Sequence, residues 1–192
     1  FTQELECMYC RETRQILEEV SGLSDKIELT IYNLQVDKEL ADKYKIDKIP
    51  ATIVEGKKDY GIRYYGIPSG YEFSSLLEDI VDVSKNESGF SPETKAMLAK
   101  VDKPLHLQVF VTPTCPHCPK AVRMAHKAAI ENDNITADMV EATEFPHLAM
   151  RYDVKGVPRT IIGDDYPVEG AVSEKELVEK ILEIHNRENR KI

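Results

Sequence analysis

Four cysteines form two Cys-x-x-Cys pairs, and these are the residues best placed to do chemistry. The first pair is Cys7-Met8-Tyr9-Cys10 and the second is Cys115-Pro116-His117-Cys118. Residues three apart share one face of a helical turn, so the two sulfurs of a pair can reach each other. Backbone N–H groups at a helix start favour thiolate, and an exposed thiolate attacks disulfides. We predict Cys7 and Cys115 to be nucleophiles and Cys10 and Cys118 to be resolving cysteines.

An apolar residue and a proline recur at the same distance from each pair. From Cys10 to the proline of Ile49-Pro50 is 40 positions, and from Cys118 to the proline of Val157-Pro158 is again 40. Around these dipeptides, residues 44–54 align with 152–162. Further on the alignment shifts by four, and Gly66, Ser69, Glu72 and Phe73 match Gly170, Ser173, Glu176 and Leu177. Self-similarity at this period predicts two tandem domains rather than a solenoid.

Hydrophobic periodicity predicts the element order βαβαββα in each half, and hence an α/β fold class with mixed sheets flanked by helices. In the first half the pattern predicts helices at 10–20, 38–44 and 69–83, with strands at 27–34, 51–55 and 60–65. In the second half it predicts helices at 116–131, 145–151 and 173–186, with strands at 105–112, 135–142, 160–162 and 168–170.

The domain boundaries follow from composition. We predict the first domain at 1–83, a polar linker containing glycine at 84–90, and the second domain at 91–192. Ser91-Pro92 is typical of an N-cap followed by proline at the first helical position, which predicts a short helix to Lys100. Phe1 aligns near Val109 or Phe110, so we expect most of the first strand of the first domain to be missing. The absence of a signal peptide is therefore no evidence about compartment.

Composition excludes several classes of function. The chain has 192 residues, of which 42% are hydrophobic, and a formal net charge of -9. These values indicate a globular protein and argue against nucleic acid as its main partner. No apolar run approaches the roughly 18 residues that a membrane span needs, so no membrane association is expected. The 31% of charged residues fits a thermophile.

Three other roles are open to the cysteines. A structural disulfide across so short a loop would contribute only about 2 kcal/mol in the chain-entropy model. Four thiolates could bind zinc, but structural zinc sites usually separate their pairs by about 15 to 20 residues, and here each pair belongs to its own repeat. Ordinary buried thiols are the third alternative. The redox role is favoured because Cys-x-x-Cys beside a strand–helix–strand pattern is typical of thioredoxin-like sites.

The cysteine pairs, the Ile49-Pro50 and Val157-Pro158 signals and the duplicated element order resemble the two-domain protein disulfide oxidoreductases of hyperthermophiles. That family is related to glutaredoxin and to protein disulfide isomerase. The resemblance implies two thioredoxin-like domains joined into one continuous sheet. It also implies redox-active disulfides Cys7-Cys10 and Cys115-Cys118 with no bound cofactor and no metal. By the same resemblance, Pro50 and Pro158 are cis and face the cysteines, and the backbone at Ile49 and Val157 pairs with substrate.

The dipeptides between the cysteines differ, which predicts different redox properties. Pro116 is expected at the first helical position, and His117 can place a positive or donating group near the Cys115 sulfur. Both would stabilise the thiolate, so we predict that the second site is the more oxidising. Typical thioredoxins carry a buried Asp on the preceding strand where Val109 stands here. The remaining histidines are expected to be structural or exposed to solvent: His106, His126, His147 and His185.

The sequence therefore favours a thiol–disulfide oxidoreductase acting on protein disulfides or dithiols. The resemblance implies an NAD(P)H-dependent electron donor similar to thioredoxin reductase, a peroxiredoxin as a further partner, and a cytoplasmic location. One alternative is the tandem-domain electron-transfer module of a peroxide-reducing flavoprotein. Such modules normally keep one reactive Cys-x-x-Cys, so two intact pairs argue against it. An alternative from another class is a non-enzymatic zinc-binding or scaffold protein.

Overall fold

The computed structural model describes residues 1–3 and 5–189. The described chain divides into two compact units. The first unit comprises Phe1–Thr52 with Tyr64–Pro68, and the second comprises Ile53–Arg63 with the described chain from Ser69 onward. The last three residues of the predicted second domain, 190–192, lie outside the described residues. Within the described residues, none of the helices combines the length and the apolar character that crossing a membrane requires.

In the described part of the chain, six strands form one mixed sheet in the order β1-β2-β4-β3-β5-β6. Strand β3 pairs in parallel with β4, so that Val109 lies opposite Met139, and antiparallel with β5, which pairs antiparallel with β6. The first half of the sequence contributes the β1–β2 hairpin, and the second half contributes the other four strands. The strands are β1 Ala51–Glu55, β2 Asp59–Tyr65, β3 Leu105–Val111, β4 Ile135–Glu141, β5 Arg159–Ile162 and β6 Tyr166–Glu169.

Seven helices are assigned among the described residues, and they agree closely with the predicted positions. Ser91 caps α4 through its side chain, which accepts a hydrogen bond from the backbone N–H of Thr94, with Pro92 in the first turn. That cap confirms the helix start predicted from Ser91-Pro92. The helices are α1 Cys10–Ser21, α2 Lys38–Tyr44, α3 Glu72–Lys85, α4 Pro92–Leu98, α5 Cys118–Glu131, α6 Pro146–Arg151 and α7 Glu174–Asn189.

The core of the second unit lies between β3 and β4 and the apolar face of α5. Leu107 and Val109 in the middle of β3 are fully buried. On α5 the buried side chains recur at helical spacing, as Cys118, Val122 and Ala125 are all inaccessible to solvent. Burying one large aliphatic side chain contributes about 1.5–3 kcal/mol. This packing fixes the position of α5, and therefore of the cysteine at its first residue.

The strand predicted at 27–34 is wrong, because the structure has no regular strand there. Thr2 makes an isolated parallel bridge to Asn33, and its backbone N–H donates to Tyr32 at 2.9 Å. A strand needs a partner along its length, and here the pairing is a single bridge. Phe1 nevertheless accepts from the Ala51 N–H at 3.0 Å. Phe1 and Thr2 thus pair with Asn33 on one side and with Ala51 on the other. In the second half, β3 likewise lies between β4 and β5.

Candidate active site

Each Cys-x-x-Cys pair is closed by a disulfide at the start of a helix. The Cys7–Cys10 and Cys115–Cys118 bonds both join Cα atoms 5.5 Å apart. The second cysteine of each pair is the first residue of its helix, Cys10 in α1 and Cys118 in α5. Both sulfur pairs therefore lie at the positive end of a helix dipole, which stabilises a thiolate when the bond is reduced.

The two cysteines of each pair differ in accessibility in the predicted sense. Cys7 is partly exposed, while Cys10 keeps only 4% of its surface. Cys115 keeps 8%, and Cys118 is fully buried. An incoming disulfide can approach the first sulfur of each pair more readily than the second. This is the accessibility that a nucleophile and a resolving cysteine require.

The position predicted for Pro116 is wrong, because α5 begins at Cys118. The Cys115 N–H donates to Thr112 at 3.1 Å, and the Cys118 N–H donates to Cys115 at 3.4 Å. The chain therefore turns before it becomes helical. Pro116 lies ahead of the helix, and the proline in its first turn is Pro119. A pre-set proline φ at Pro116 cannot support the helix start in the way the sequence suggested.

Between the cysteines, Tyr9 is half-buried and the other three residues are exposed. Met8 keeps 82% of its surface, and Pro116 and His117 are also exposed. The first turn of α1 carries Glu12, whereas the first turn of α5 carries no acidic residue. The Glu12 backbone N–H and the Arg11 side chain hold the pKa of the Glu12 carboxyl below its ordinary value, so it is ionised at neutral pH. The Glu12 carboxylate is paired with the Arg11 guanidinium at 3.0 Å, so the two sites differ in the charged groups beside the helix start.

Both X-Pro bonds implied by the resemblance are cis, at Ile49-Pro50 and Val157-Pro158. Both prolines are buried, and the aliphatic residue before each is partly exposed. The Pro50 carbonyl accepts from the Gly66 N–H at 2.9 Å, and the Pro158 carbonyl accepts from the Gly170 N–H at 2.9 Å. The two glycines are a pair that the repeat aligned, and both have positive φ. The repeat therefore extends to individual backbone hydrogen bonds.

The turn that opens α3 packs against the loop before Cys115. The Tyr71 N–H donates to the Pro113 carbonyl at 3.0 Å. Gly70 has φ +61°, and a Cβ there would lie 2.2 Å from the same carbonyl oxygen. Only glycine tolerates both the left-handed backbone and this approach. Pro113 precedes Cys115 by two residues, so α3 helps to position the second site.

Glu72 is a buried acid beside this contact that the sequence analysis did not identify. It is 1% exposed, and the Ser75 hydroxyl donates to its Oε2 at 2.8 Å. Burial raises the pKa of Glu72 to about 7, with the Ser75 hydrogen bond acting in the opposite direction. A signal was present, because Glu72 shares a helix face with Leu76, Asp79 and Val83, which are all buried. An acid on an apolar face indicates a special environment.

A second buried polar cluster joins α3 to α5. Asp79 forms an ion pair with Arg123 and lies 2.5 Å from Nδ1 of His126, while Glu78 and Asp82 bind the outer side of Arg123. Burial and the nearby Arg123 charge lower the pKa of His126 to about 3. The ring is therefore neutral, and its Nδ1–H donates to Asp79. This places His126 among the structural histidines.

The other three histidines differ in burial: His185 is buried, His106 is half-buried and His147 is exposed. His106 approaches Asp138 at 2.6 Å, and His185 approaches Asp102 at 2.9 Å. His147 is exposed.

All four cysteines are in disulfides. Among the residues that the structure describes, no group of three or more His, Cys, Asp or Glu side chains is arranged to hold a metal ion.

The chain is similar to known proteins of thioredoxin-like fold. Residues 105–183 match the family model described as the thioredoxin domain. The crystal structure of a protein disulfide oxidoreductase from Aeropyrum pernix is similar, with 29% identity and a TM-score of 0.88 over 94% of this chain and 82% of that one. The N-terminal domain of alkylhydroperoxide reductase AhpF from Enterococcus faecalis has 24% identity and a TM-score of 0.87, over 94% of this chain and 87% of that one.

Curated relatives are longer than this chain. The NADH dehydrogenase of Bacillus subtilis is 22% identical over 86% of this chain and 30% of its own length. An alkyl hydroperoxide reductase component of Pseudomonas aeruginosa is 23% identical over 89% of this chain and 31% of its own length. The chain thus spans less than a third of these relatives. The similarity to the Aeropyrum pernix structure extends over both halves of this chain, so its fold is thioredoxin-like. Each half carries one Cys-x-x-Cys disulfide.

Proposed function

We propose that the chain is a protein disulfide oxidoreductase that works through two Cys-x-x-Cys sites. The observation that carries this proposal is the repeated arrangement of one disulfide, one helix start and one cis proline in each half. The similarity to the Aeropyrum pernix protein, which bears that name, supports it. The predicted domains at 1–83 and 91–192, joined by 84–90, remain our proposal for the units that were duplicated.

The proposed reaction transfers two electrons between the protein and a substrate disulfide. In the reducing direction the Cys115 thiolate attacks one substrate sulfur, the substrate S–S bond breaks, and a mixed disulfide forms while the other substrate sulfur leaves as a thiolate. The Cys118 thiolate then attacks Cys115, which closes the protein disulfide and releases the second substrate thiolate. The substrate is reduced by two electrons, and the pair of cysteines is oxidised. Cys7 and Cys10 act in the same way.

Residues around the sulfurs have supporting roles in this proposal. The cis prolines Pro50 and Pro158 leave the backbone of Ile49 and Val157 to pair with an extended substrate segment. His117 is exposed between the cysteines of the second site, and in this proposal its ring favours the Cys115 thiolate. No bound cofactor is needed for the exchange, because the disulfides themselves carry the electrons.

The test is dithiothreitol-driven reduction of insulin by the full chain, by Cys115→Ser and by Cys7→Ser. Loss of turnover in Cys115→Ser, with Cys7→Ser retaining most of it, would assign the main external site to the second half. Equal dependence on both cysteines would indicate a relay between the sites. If the intact chain has no activity, the proposed function is wrong.

A second candidate is supported by the relatives named as alkyl hydroperoxide reductase components. In that case the chain would carry electrons from an NAD(P)H-dependent reductase, similar to thioredoxin reductase, to a peroxiredoxin. A cytoplasmic location would accompany either candidate. Pre-reduced chain, mixed with an oxidised peroxiredoxin or with insulin, distinguishes the two by its rate constants. A peroxiredoxin reaction at least 100-fold faster favours the second candidate, whereas comparable rate constants favour the general oxidoreductase.

A further inference from the structure

The first turn of α3 belongs to the first repeat, yet it contacts the second site. The backbone of Tyr71 binds the Pro113 carbonyl at 3.0 Å, and Gly70 packs against the same oxygen. Pro113 and Cys115 are two positions apart in the sequence, so their Cα atoms are at most about 7 Å apart. The side chain of Tyr71 therefore starts within a few ångströms of the loop that carries the proposed nucleophile.

The repeats diverge at this contact. In the alignment that pairs Ser69 with Ser173, Gly70 and Tyr71 stand where the second repeat has Glu174 and Lys175. The following acid is present in both repeats, but Glu72 is 1% exposed whereas its counterpart is exposed. The second copy of the turn thus lacks the glycine that the close approach needs. The Gly-Tyr sequence is specific to the copy that reaches a cysteine loop.

The side chain of Tyr71 is not used to build the core. Tyr71 is 53% exposed, whereas Glu72, the next residue along the chain, is buried. Pro116 and His117, between the cysteines of the second site, are also exposed. Tyrosine offers a large rigid contact area at a small cost in conformational entropy, and it is enriched at the energetic centres of interfaces.

We propose that Tyr71 is a docking residue for polypeptide substrates at the second site, where its ring contacts an apolar side chain that flanks the substrate disulfide. The inference rests on the disulfide oxidoreductase activity proposed above. Tyr71 acts on binding and takes no part in the exchange of sulfur bonds. Its contribution therefore depends on the size of the substrate, because a small hydrophilic disulfide has no flanking side chain to contact.

The experiment compares two substrates in the full chain with Cys7 and Cys10 replaced by serine, so that turnover reports on the second site. The substrates are insulin and 2-hydroxyethyl disulfide, with dithiothreitol as reductant, and kcat and KM are measured for each. The variants are Tyr71→Ala, Tyr71→Phe and Tyr71→Lys, the last carrying the residue of the second repeat. Val81→Ala is the matched control, because Val81 is 46% exposed on the same helix.

In Tyr71→Ala we expect the ratio of kcat/KM for insulin to kcat/KM for the small disulfide to fall about tenfold, mainly through KM for insulin. Tyr71→Lys should show a similar fall, Tyr71→Phe should keep most of the ratio, and Val81→Ala should leave it unchanged. An unchanged ratio in the alanine and lysine variants overturns the docking role. An equal loss for both substrates, with a lower Tm, identifies Tyr71 as structural. Failure of the parent on both substrates overturns the proposed function itself.

Discussion

His126 provides a prediction whose magnitude follows directly from its environment. Its pKa is about 3 in the folded protein, because of burial and the nearby Arg123 charge, against 6.5 for an unperturbed imidazole. Below pH 6.5 the unfolded chain therefore binds a proton that the folded protein does not. The stability this group provides is fully present above pH 6.5 and is lost as the pH falls toward 3.

Each pH unit within that window costs about 1.4 kcal/mol. Between pH 7 and pH 5 the titration of His126 should therefore lower the free energy of unfolding by about 2 kcal/mol. For a chain of this size that corresponds to roughly 4–8 °C in Tm. His126→Asn removes the titrating group and keeps a side-chain N–H that can donate to Asp79. The variant starts from a lower stability because it leaves a cavity, but it should lose about 2 kcal/mol less than the parent over the same pH interval.

The assay is urea unfolding of the oxidised parent and of His126→Asn at pH 7, 6 and 5. The quantity that decides is the difference between the two proteins in how their free energies of unfolding change with pH. His185→Asn is the control, because His185 also pairs with an aspartate but its partner Asp102 is exposed. Equal losses in the parent and in His126→Asn between pH 7 and pH 5 would refute the argument that this ring stays neutral.

Three further outcomes are expected. The raised Glu72 pKa of about 7 favours the folded state fully below pH 4.5, and this contribution is lost as the pH rises through 7. Between pH 5 and pH 8 the free energy of unfolding of Glu72→Gln should therefore fall by about 2–3 kcal/mol less than that of the parent. Urea unfolding at both pH values checks this, and equal falls in the two proteins would contradict it. Gly70→Ala should lower the free energy of unfolding by about 2 kcal/mol or more through its positive φ and its clash with a backbone oxygen. Gly156→Ala, where a Cβ meets nothing within 4 Å, should change it by less than about 0.5 kcal/mol. Equilibrium titration against a glutathione buffer, one site at a time, should give the higher reduction potential to Cys115–Cys118 than to Cys7–Cys10, and the reverse order would defeat our interpretation of the charges around the sulfurs.

The sequence was sufficient where chemistry and local pattern coincide. The β1–β2 hairpin follows from the strand pattern and its turn residues, and the structure has it. The two disulfides and the two cis prolines were implied by the family resemblance, and the structure has these as well. The prediction of secondary structure failed where the outcome depends on a neighbouring segment of the chain. Residues 27–34 have strand-forming side chains, but a strand also needs a neighbour to pair with along its length. The start of α5 shifted from Pro116 to Cys118 because the cysteine loop turns before it becomes helical.

The pairing of Asp79 with Arg123 could not be predicted, because it depends on which helix packs against α3. Asp79 aligns with Glu183 when the last helices of the two repeats are superposed in sequence, and an acid at either position looks like a solvated helix face. In the structure Asp79 is fully buried against Arg123, whereas Glu183 is exposed. Breaking such a buried pair typically costs about 3–5 kcal/mol, although keeping it adds little net stability. The cluster therefore fixes how α3 meets α5, and α3 in turn positions the loop before Cys115. The acidic residues of α3 therefore help to hold in place the helix whose start contacts the loop before Cys115.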